Sequence, residues 1–400
     1  MKIEKIKVKN FKVYRDVEIK NIANFSVFLG ANGAGKSTLF DIFGFLSDAL
    51  KNNIKTALNR RGGFKEVYSR DGEGTMLFEI KFRNDVQSGC ITPPLITYHL
   101  EITNKDGVPV IASEVLSYRR GQRGRPYRFL DFQYGSGSAI TNENTYSENV
   151  QEFIENREQQ SLDSPDILAI KGLGQFQKFQ AISAFRRLLD SWYVSNFQIQ
   201  EARSIQDIAV SEHLSPSGHN LAQVTRFIWE NHRDTFNEIL EKFKKRVPGV
   251  ENVIAEETLD GRIVLKFKDD SFADPFIARF VSDGTIKMFA YLVLLNDPLK
   301  YPLLCVEEPE NYLHLDLLPE LAEEFREYAN KGGQVFISTH SPDFVNAINP
   351  DELFWLQKTN GATKVMKASD DEMIMSLFNA GDKLGWLWKQ GYLKGSGPYR

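Results

Sequence analysis

The stretch Gly30-Ala31-Asn32-Gly33-Ala34-Gly35-Lys36-Ser37-Thr38 constrains this 400-residue chain more than any other. It fits G-x-x-x-x-G-K-[ST], the pattern of a loop that wraps phosphate groups. Such a loop must bring backbone N–H groups together on anionic oxygens, which leaves no room for bulky side chains at its tight points. Gly30, Gly33 and Gly35 meet that demand. Lys36 supplies a cation for the outer phosphates, and the Ser37 hydroxyl is a ligand suited to Mg²⁺. The flanks agree with this reading. Asn24 to Leu29 reads as a buried strand entering the loop, and Leu39 to Leu46 as a helix leaving it, with its N-terminal dipole toward the anion.

A chain of this length has core enough for two or three lobes. Its net charge of -4 excludes a globally basic nucleic-acid binder but leaves room for a local basic patch. Cys90 and Cys305 are its two cysteines, which make neither a disulfide framework nor a zinc site. A reducing, cytoplasmic setting is therefore expected. No hydrophobic run is long enough to span a bilayer, and no secretory signal is evident, so no membrane partner is expected.

In chain order, Lys5, Lys7 and Lys9 alternate with Ile6 and Val8, which is a half-exposed strand. Lys12 and Arg15 follow, close enough in sequence to lie near a nucleotide. Strand-like runs at 76–82, 96–102, 108–118 and 127–134, separated by turns such as Lys105-Asp106-Gly107, predict an inserted antiparallel β lobe. The Gly/Ser/Thr/Asn-rich stretch 134–149 reads as a loop. Apolar residues at helical spacing predict a helix over 176–197 and another over 220–247. No sustained heptads occur, so no long coiled coil is expected. Asp41 and Asp48 read as exposed helix residues. The expected division is 1–73 and 249–400 for two parts of one α/β nucleotide-binding head, with a β lobe over 74–149 and a helical lobe over 150–248.

A second chemical cluster lies late in the chain. Phe280 to Thr285 precedes a helical run. The apolar strand 302–306 ends in Glu307-Glu308-Pro309-Glu310, as metal and water activation beside a nucleotide would need. The strand 334–339 ends in His340. A parallel sheet would carry the phosphate loop, the acidic strand end and the histidine to the carboxyl ends of its strands, where ligands bind in such folds. Paired glutamates at a strand end are often a solvated turn, but the intact phosphate loop favours catalysis for them; a lone histidine is more often structural, and His340 gains weight only from its strand-end position and the Ser338-Thr339 before it. His314 reads as structural.

Together, Lys9-Asn10-Phe11-Lys12, Gly30 to Thr38, Val281 to Thr285, Glu307 to Glu310 and Ser338-Thr339-His340-Ser341-Pro342 match, in order, a known set of motifs. The chain resembles the ABC-type ATPase heads of the structural-maintenance-of-chromosomes, RecF and overcoming-lysogenization-defect proteins, in particular the short bacterial AAA-family ATPases of that group. The middle, from about 74 to 270, matches loosely, with Ser217 to Leu221 as its best point. The resemblance implies an α/β ABC-type P-loop head that binds ATP with Mg²⁺. Gly30, Ala31, Asn32, Gly33, Ala34, Gly35, Lys36, Ser37 and Thr38 would hold the phosphates, and Ser37 the metal. Glu308 would act as general base and His340 would sense the γ-phosphate. Glu307 stands where the family usually has Asp at the metal shell, so slow turnover is expected. Ser282 and Gly284 match the signature motif that caps the γ-phosphate of the opposite protomer, although Val281-Ser282-Asp283-Gly284 departs from the leucine-start, double-glycine form. Gln87 lies where a glutamine loop could fall.

The resemblance implies a dimeric, or higher homo-oligomeric, ATP-driven switch acting with nucleic acid in DNA repair or in defence against invading DNA. A nucleotide-gated scaffold that holds a separate effector, a nuclease or toxin, is the alternative. A transporter motor fits less well, because the signature departs and the β lobe is large. Arg119, Arg120, Arg123, Arg125 and Arg128, near Tyr118 and Tyr127, admit two readings: a DNA-phosphate patch or a solvated hairpin tip. Asp370, Asp371 and Glu372 open an apparent helix, where capping accounts for them without a metal.

Overall fold

The computed structural model describes residues 2–83, 95–118, 126–142 and 156–397. Gln87, Cys90, Arg119, Arg120, Arg123 and Arg125 lie outside these residues. The chain divides into two compact units: Met1–Trp192 with Asn349–Asp382 and Leu387–Arg400, and Tyr193–Ile348 with Lys383–Trp386.

The first unit is built on an eight-stranded sheet. In spatial order its strands are Tyr14–Lys20, Lys2–Phe11, Met76–Arg83, Leu95–Lys105, Val108–Tyr118, Tyr127–Gln133, Ser136–Ile140 and Arg157–Ser161, each antiparallel to the next. Met76–Arg83 alternates buried and half-buried residues, as a strand with one core face must. The expected run of antiparallel strands is present, and the N-terminal hairpin belongs to the same sheet. Phe11, Phe45 and Phe78 meet with ring centroids 5.3–5.7 Å apart, fixing the helix Lys36–Lys51 on this sheet. A second arrangement in this unit carries the phosphate loop. Phe25–Leu29, buried throughout, pairs in parallel with Leu353–Thr359, which turns back into Ala362–Lys367.

The second unit contains the parallel pair Leu303–Glu307 and Val335–Thr339, with Glu307 opposite Ser338. Both strands are nearly all buried, which matches their unbroken apolar runs. The helices Asp283–Leu295 and Leu318–Asn330 belong to this unit, and Arg262–Asp269 lies between Gln206–Asp207 and Val250–Glu257 in a small antiparallel sheet. Phe243, Phe267 and Phe289 close its core, with centroids 5.2–6.0 Å apart.

Several expectations are corrected. The helix expected over 176–197 runs only over Gln180–Asp190. The one expected over 220–247 is two, Leu221–Asn231 and Arg233–Arg246, broken at His232 (φ -134, ψ 59). Asn and His are weak helix formers, and the Asn231 side chain bonds the Phe227 carbonyl, so the chain breaks there at little cost. The stretch read as a loop from 134 contains the strand Ser136–Ile140. Tyr134 and Gly135, both at positive φ, make the tight hairpin turn that precedes it. Gly137 allows the close approach, since a Cβ there would stand 2.1 Å from the Asp131 carbonyl. Asp41 and Asp48 are not exposed: Lys12 and Arg61 bind Asp41 at 2.6 Å each, and Arg60 and Arg61 bind Asp48. Among the described residues no helix exceeds the 16 residues of Lys36–Lys51, and none is long and apolar enough to cross a membrane.

The buried Glu114 joins the first unit's sheet to the helix Ala169–Leu173. Its carboxyl group receives the Ala169 and Ile170 amides at 2.5 and 3.1 Å and the Tyr98 hydroxyl at 3.2 Å. Burial pushes this carboxyl up to about 7, against the lowering effect of those donors. The unfolded chain releases the same proton near the ordinary carboxylate value, so between about 4.5 and 7 the folded state binds more protons. Stability from this group is thus fully present below about 4.5 and is lost as pH rises through about 7. Glu114→Gln is expected to flatten the pH dependence of urea unfolding across that window, by on the order of 3 kcal/mol. An unchanged slope in the variant would show that Glu114 does not titrate there.

Candidate active site

The phosphate loop follows strand Phe25–Leu29, and its shape is held by the scaffold. Gly33 and Gly35 adopt φ of 77 and 108, a region open to glycine at little cost. A Cβ on Gly35 would meet Thr363 Oγ1 at 2.8 Å and Tyr14 Cε1 at 2.9 Å. The same two residues tie back the loop carbonyls: Thr363 Oγ1 donates to Ala34 O at 2.8 Å, and Tyr14 OH to Gly35 O at 3.0 Å. With carbonyls turned into the protein, the loop has the sense in which successive amides converge on an anion. The helix Lys36–Lys51 then begins with no side-chain cap and no acidic residue in its first turn, so nothing of its own opposes a phosphate there. Lys36 is buried, and its Nζ donates to Gly30 O at 2.7 Å and Ala31 O at 3.2 Å. Tyr14 and Thr363 are members of this site that sequence reading missed. Their only trace was a tyrosine after Asn10-Phe11-Lys12 and a threonine in a late hairpin.

In the second unit, Glu308 and His340 follow the carboxyl ends of adjacent parallel strands. His340 Nδ1 lies 3.0 Å from Glu308 Oε1, and the carboxylate makes Nδ1 the donor. Asn311 Nδ2 donates to Glu308 Oε2 at 2.9 Å. Glu308 has φ 45, uncommon for a residue with a side chain; its amide bonds Ser338 O at 2.8 Å and its carbonyl accepts Lys287 Nζ at 3.0 Å. Burial pulls the Lys287 ammonium down to about 8, against the opposing pull of Glu310 and Glu308. Glu307 closes its strand opposite Ser338. The Cys305 thiol is buried and pushed up, and is structural. His314, expected to be structural, caps a short helix through the Asp316 amide at 3.4 Å.

Ser282 caps the helix Asp283–Leu295 by accepting the Thr285 amide at 3.2 Å. Asp283, the departure from the usual signature, has a local use: it pairs with Arg203 at 2.6 Å. A Cβ on Gly284 would stand 2.5 Å from Tyr312 O, so the small residue is required where this helix meets the loop after Glu310. Phe280 and Tyr312 flank this face at 75% and 67% exposure. Of the arginine patch, Arg128 is described, and it pairs with Asp131 at 2.6 Å. Asp371 caps its own helix through the Met373 and Ile374 amides, as the sequence suggested.

The fold and the phosphate loop define a P-loop ATPase of the AAA type with the fold of an SMC head. The chain belongs to the family described as "AAA domain, putative AbiEii toxin, Type IV TA system", whose model matches residues 25–346. It is similar to an "ATP/GTP phosphatase" of Helicobacter pylori (strain ATCC 700392 / 26695), 20% identical over 356 residues that cover 87% of each chain. The fold is that of an SMC head solved with the C-winged helix domain of ScpA: TM-score 0.56, 16% identity, 92% of this chain and 98% of that one. A second SMC head, with an extended coiled coil and bound to the C-terminal domain of ScpA derived from Pyrococcus furiosus, gives TM-score 0.50 and 14% identity over 94% and 99% of the chains.

Proposed function

We propose that this chain is a slow, ATP-hydrolysing switch in which two copies close over ATP and part after hydrolysis, acting with nucleic acid in repair or in defence against invading DNA. The observation that carries the hydrolytic part is Glu308, with each carboxylate oxygen hydrogen-bonded, one to His340 and one to Asn311. A base held in this way can take or orient the proton of an attacking water, and catalysis of phosphoryl transfer is otherwise positioning and charge neutralisation. Lys36 and the loop amides would hold the phosphates, and His340 would lie against the γ-phosphate. Ser37 and Glu307 are oxygen donors of the hard type Mg²⁺ prefers; when bound, the ion would neutralise charge building on the phosphates.

Support for the pairing of copies comes from the signature face. Ser282 and Gly284 open a helix whose first turn carries Asp283, paired with Arg203, and exposed Phe280 and Tyr312 border it, as suits a surface another chain covers. The test mixes chains carrying Lys36→Ala with chains carrying Ser282→Arg. Each alone is expected to be inactive. Equal mixing should restore roughly a quarter of the parent rate, because half the dimers are mixed and each holds one intact composite site. With subunit exchange confirmed, a mixture no more active than either parent would exclude independent sites shared between copies.

The alternative is a nucleotide-gated scaffold that holds and releases a separate nuclease or toxin, in which the destructive chemistry belongs to that partner. DNA contact through the arginine stretch stays part of the first reading, with Arg128 shared with Asp131.

A further inference from the structure

Glu310 is buried, and a carboxyl group is costly to bury unless its oxygens are hydrogen-bonded. Its Oε1 accepts the Thr339 hydroxyl at 2.5 Å and the His340 amide at 3.2 Å, and lies 3.8 Å from His340 Nδ1. Its Oε2 is buried with no hydrogen-bond partner among the described residues. Thr339 Oγ1 in turn accepts the Ser341 amide at 2.9 Å, so the backbone on both sides of His340 is tied, directly or through Thr339, to this carboxylate oxygen. The next residue, Asn311, reaches back to Glu308 Oε2, and its own amide bonds Glu308 O at 3.2 Å. The four-residue turn from Glu308 to Asn311 therefore closes on itself through His340. Glu310 sets the backbone of His340, His340 holds one oxygen of Glu308, and Asn311 holds the other.

We infer that Glu310 and Asn311 are positioning residues for the hydrolytic step: Asn311 fixes the carboxylate plane of Glu308, and Glu310 fixes it at second hand, by placing His340. The inference rests on the reading of Glu308 as the base. A free glutamate side chain has three rotatable bonds, and a base displaced by about 1 Å can lose on the order of 10²-fold in rate. Two donors on separate segments, a turn and a neighbouring strand end, remove that freedom. Glu310 acts as a hydrogen-bond acceptor here, and its charge has no part in the reaction.

This separates Glu310→Gln from Glu310→Leu. The glutamine keeps an acceptor oxygen for Thr339 and His340, and should recover most of kcat. The leucine keeps the bulk and removes the acceptor; kcat should fall about 10- to 10²-fold while the Kd for ATP stays within about threefold. Asn311→Ala should show the same split between kcat and Kd. In a Glu308→Gln background neither Glu310→Leu nor Asn311→Ala should lower kcat further, because both act through Glu308. If Glu310→Leu does not fold, as judged by circular dichroism, Thr339→Val removes the other end of the same bond and is expected to lower kcat likewise. The inference is overturned if Glu310→Gln is as slow as Glu310→Leu, if Asn311→Ala and either Glu310→Leu or Thr339→Val turn over at the parent rate, or if the losses add in the Glu308→Gln background. A Glu308→Gln chain that hydrolyses ATP at the parent rate would instead overturn the assignment of the base, a failure visible without any of the other variants.

Discussion

Glu308→Gln is expected to bind ATP with Mg²⁺ as the parent does and to hydrolyse it about 10²- to 10⁴-fold more slowly, the usual contribution of a general base. The change removes proton affinity and little else. Glutamine has the same shape, and its carbonyl oxygen can still accept from Asn311 or from His340, whose bonds to Glu308 measure 2.9 and 3.0 Å. Its amide group cannot accept from the second donor, but the imidazole can exchange tautomers and accept from it instead. Local geometry should therefore survive, and the loss should fall on kcat while the Kd for ATP holds. Since the site is expected to close before hydrolysis and open after it, the variant should also accumulate a closed dimer in ATP, measurable as a doubling of mass by light scattering. Single-turnover hydrolysis near the parent rate would place water activation elsewhere. Glu307, one residue earlier at the same strand end, would be the first alternative.

The elements that sequence reading located well are those whose signal is local and repeated. Phe25–Leu29, Leu303–Glu307 and Val335–Thr339 are short apolar runs ended by chemistry-bearing residues, and all three form strands. The phosphate loop was legible because its glycines, lysine and serine sit at fixed spacing in one segment. Failures occurred where a tertiary partner decides. Asp41 and Asp48 carry no mark of Arg61, which reaches both from the turn after the helix Ile54–Asn59. Gly135 and Gly137 read as loop composition, whereas in the sheet one makes a tight turn and the other a close strand approach. In the site itself, Glu308 and His340 were visible as strand ends. Asn311 and Lys287 were not, because their roles depend on a left-handed residue at 308 and on a lysine reaching from the helix Asp283–Leu295. Asn three residues after a candidate base, in a turn that doubles back, is the one signal that could have pointed to Asn311.

Lys36→Ala is expected to weaken ATP binding by roughly 30-fold to 5 × 10³-fold, the cost of truncating one member of a buried charge pair, about 2–5 kcal/mol. Lys36 is already drawn inward in the structure. Its Nζ rests on the carbonyls of Gly30 and Ala31, and the side chain is buried, so little ordering remains to be done when a phosphate arrives. The shape of the loop has other supports. Tyr14 and Thr363 hold the carbonyls of Gly35 and Ala34, and the Phe11–Phe45–Phe78 cluster holds the helix behind it. Alanine should therefore remove the cation and leave the loop standing, so that the loss appears in binding and not in folding. Titration calorimetry with ATP and Mg²⁺ measures the first, and urea unfolding without nucleotide measures the second. Weakened binding with a shift in unfolding free energy of only about 1 kcal/mol, the cost of an ordinary lost hydrogen bond, is the expected pair of results. Unchanged affinity would remove Gly30 to Thr38 as the nucleotide site. Loss of binding together with loss of the fold would mean that the loop depends on the Lys36 bonds and not on the hydroxyls of Tyr14 and Thr363. The variants Tyr14→Phe and Thr363→Val separate those cases: with the loop held as described, each should loosen nucleotide binding while Lys36 is still present.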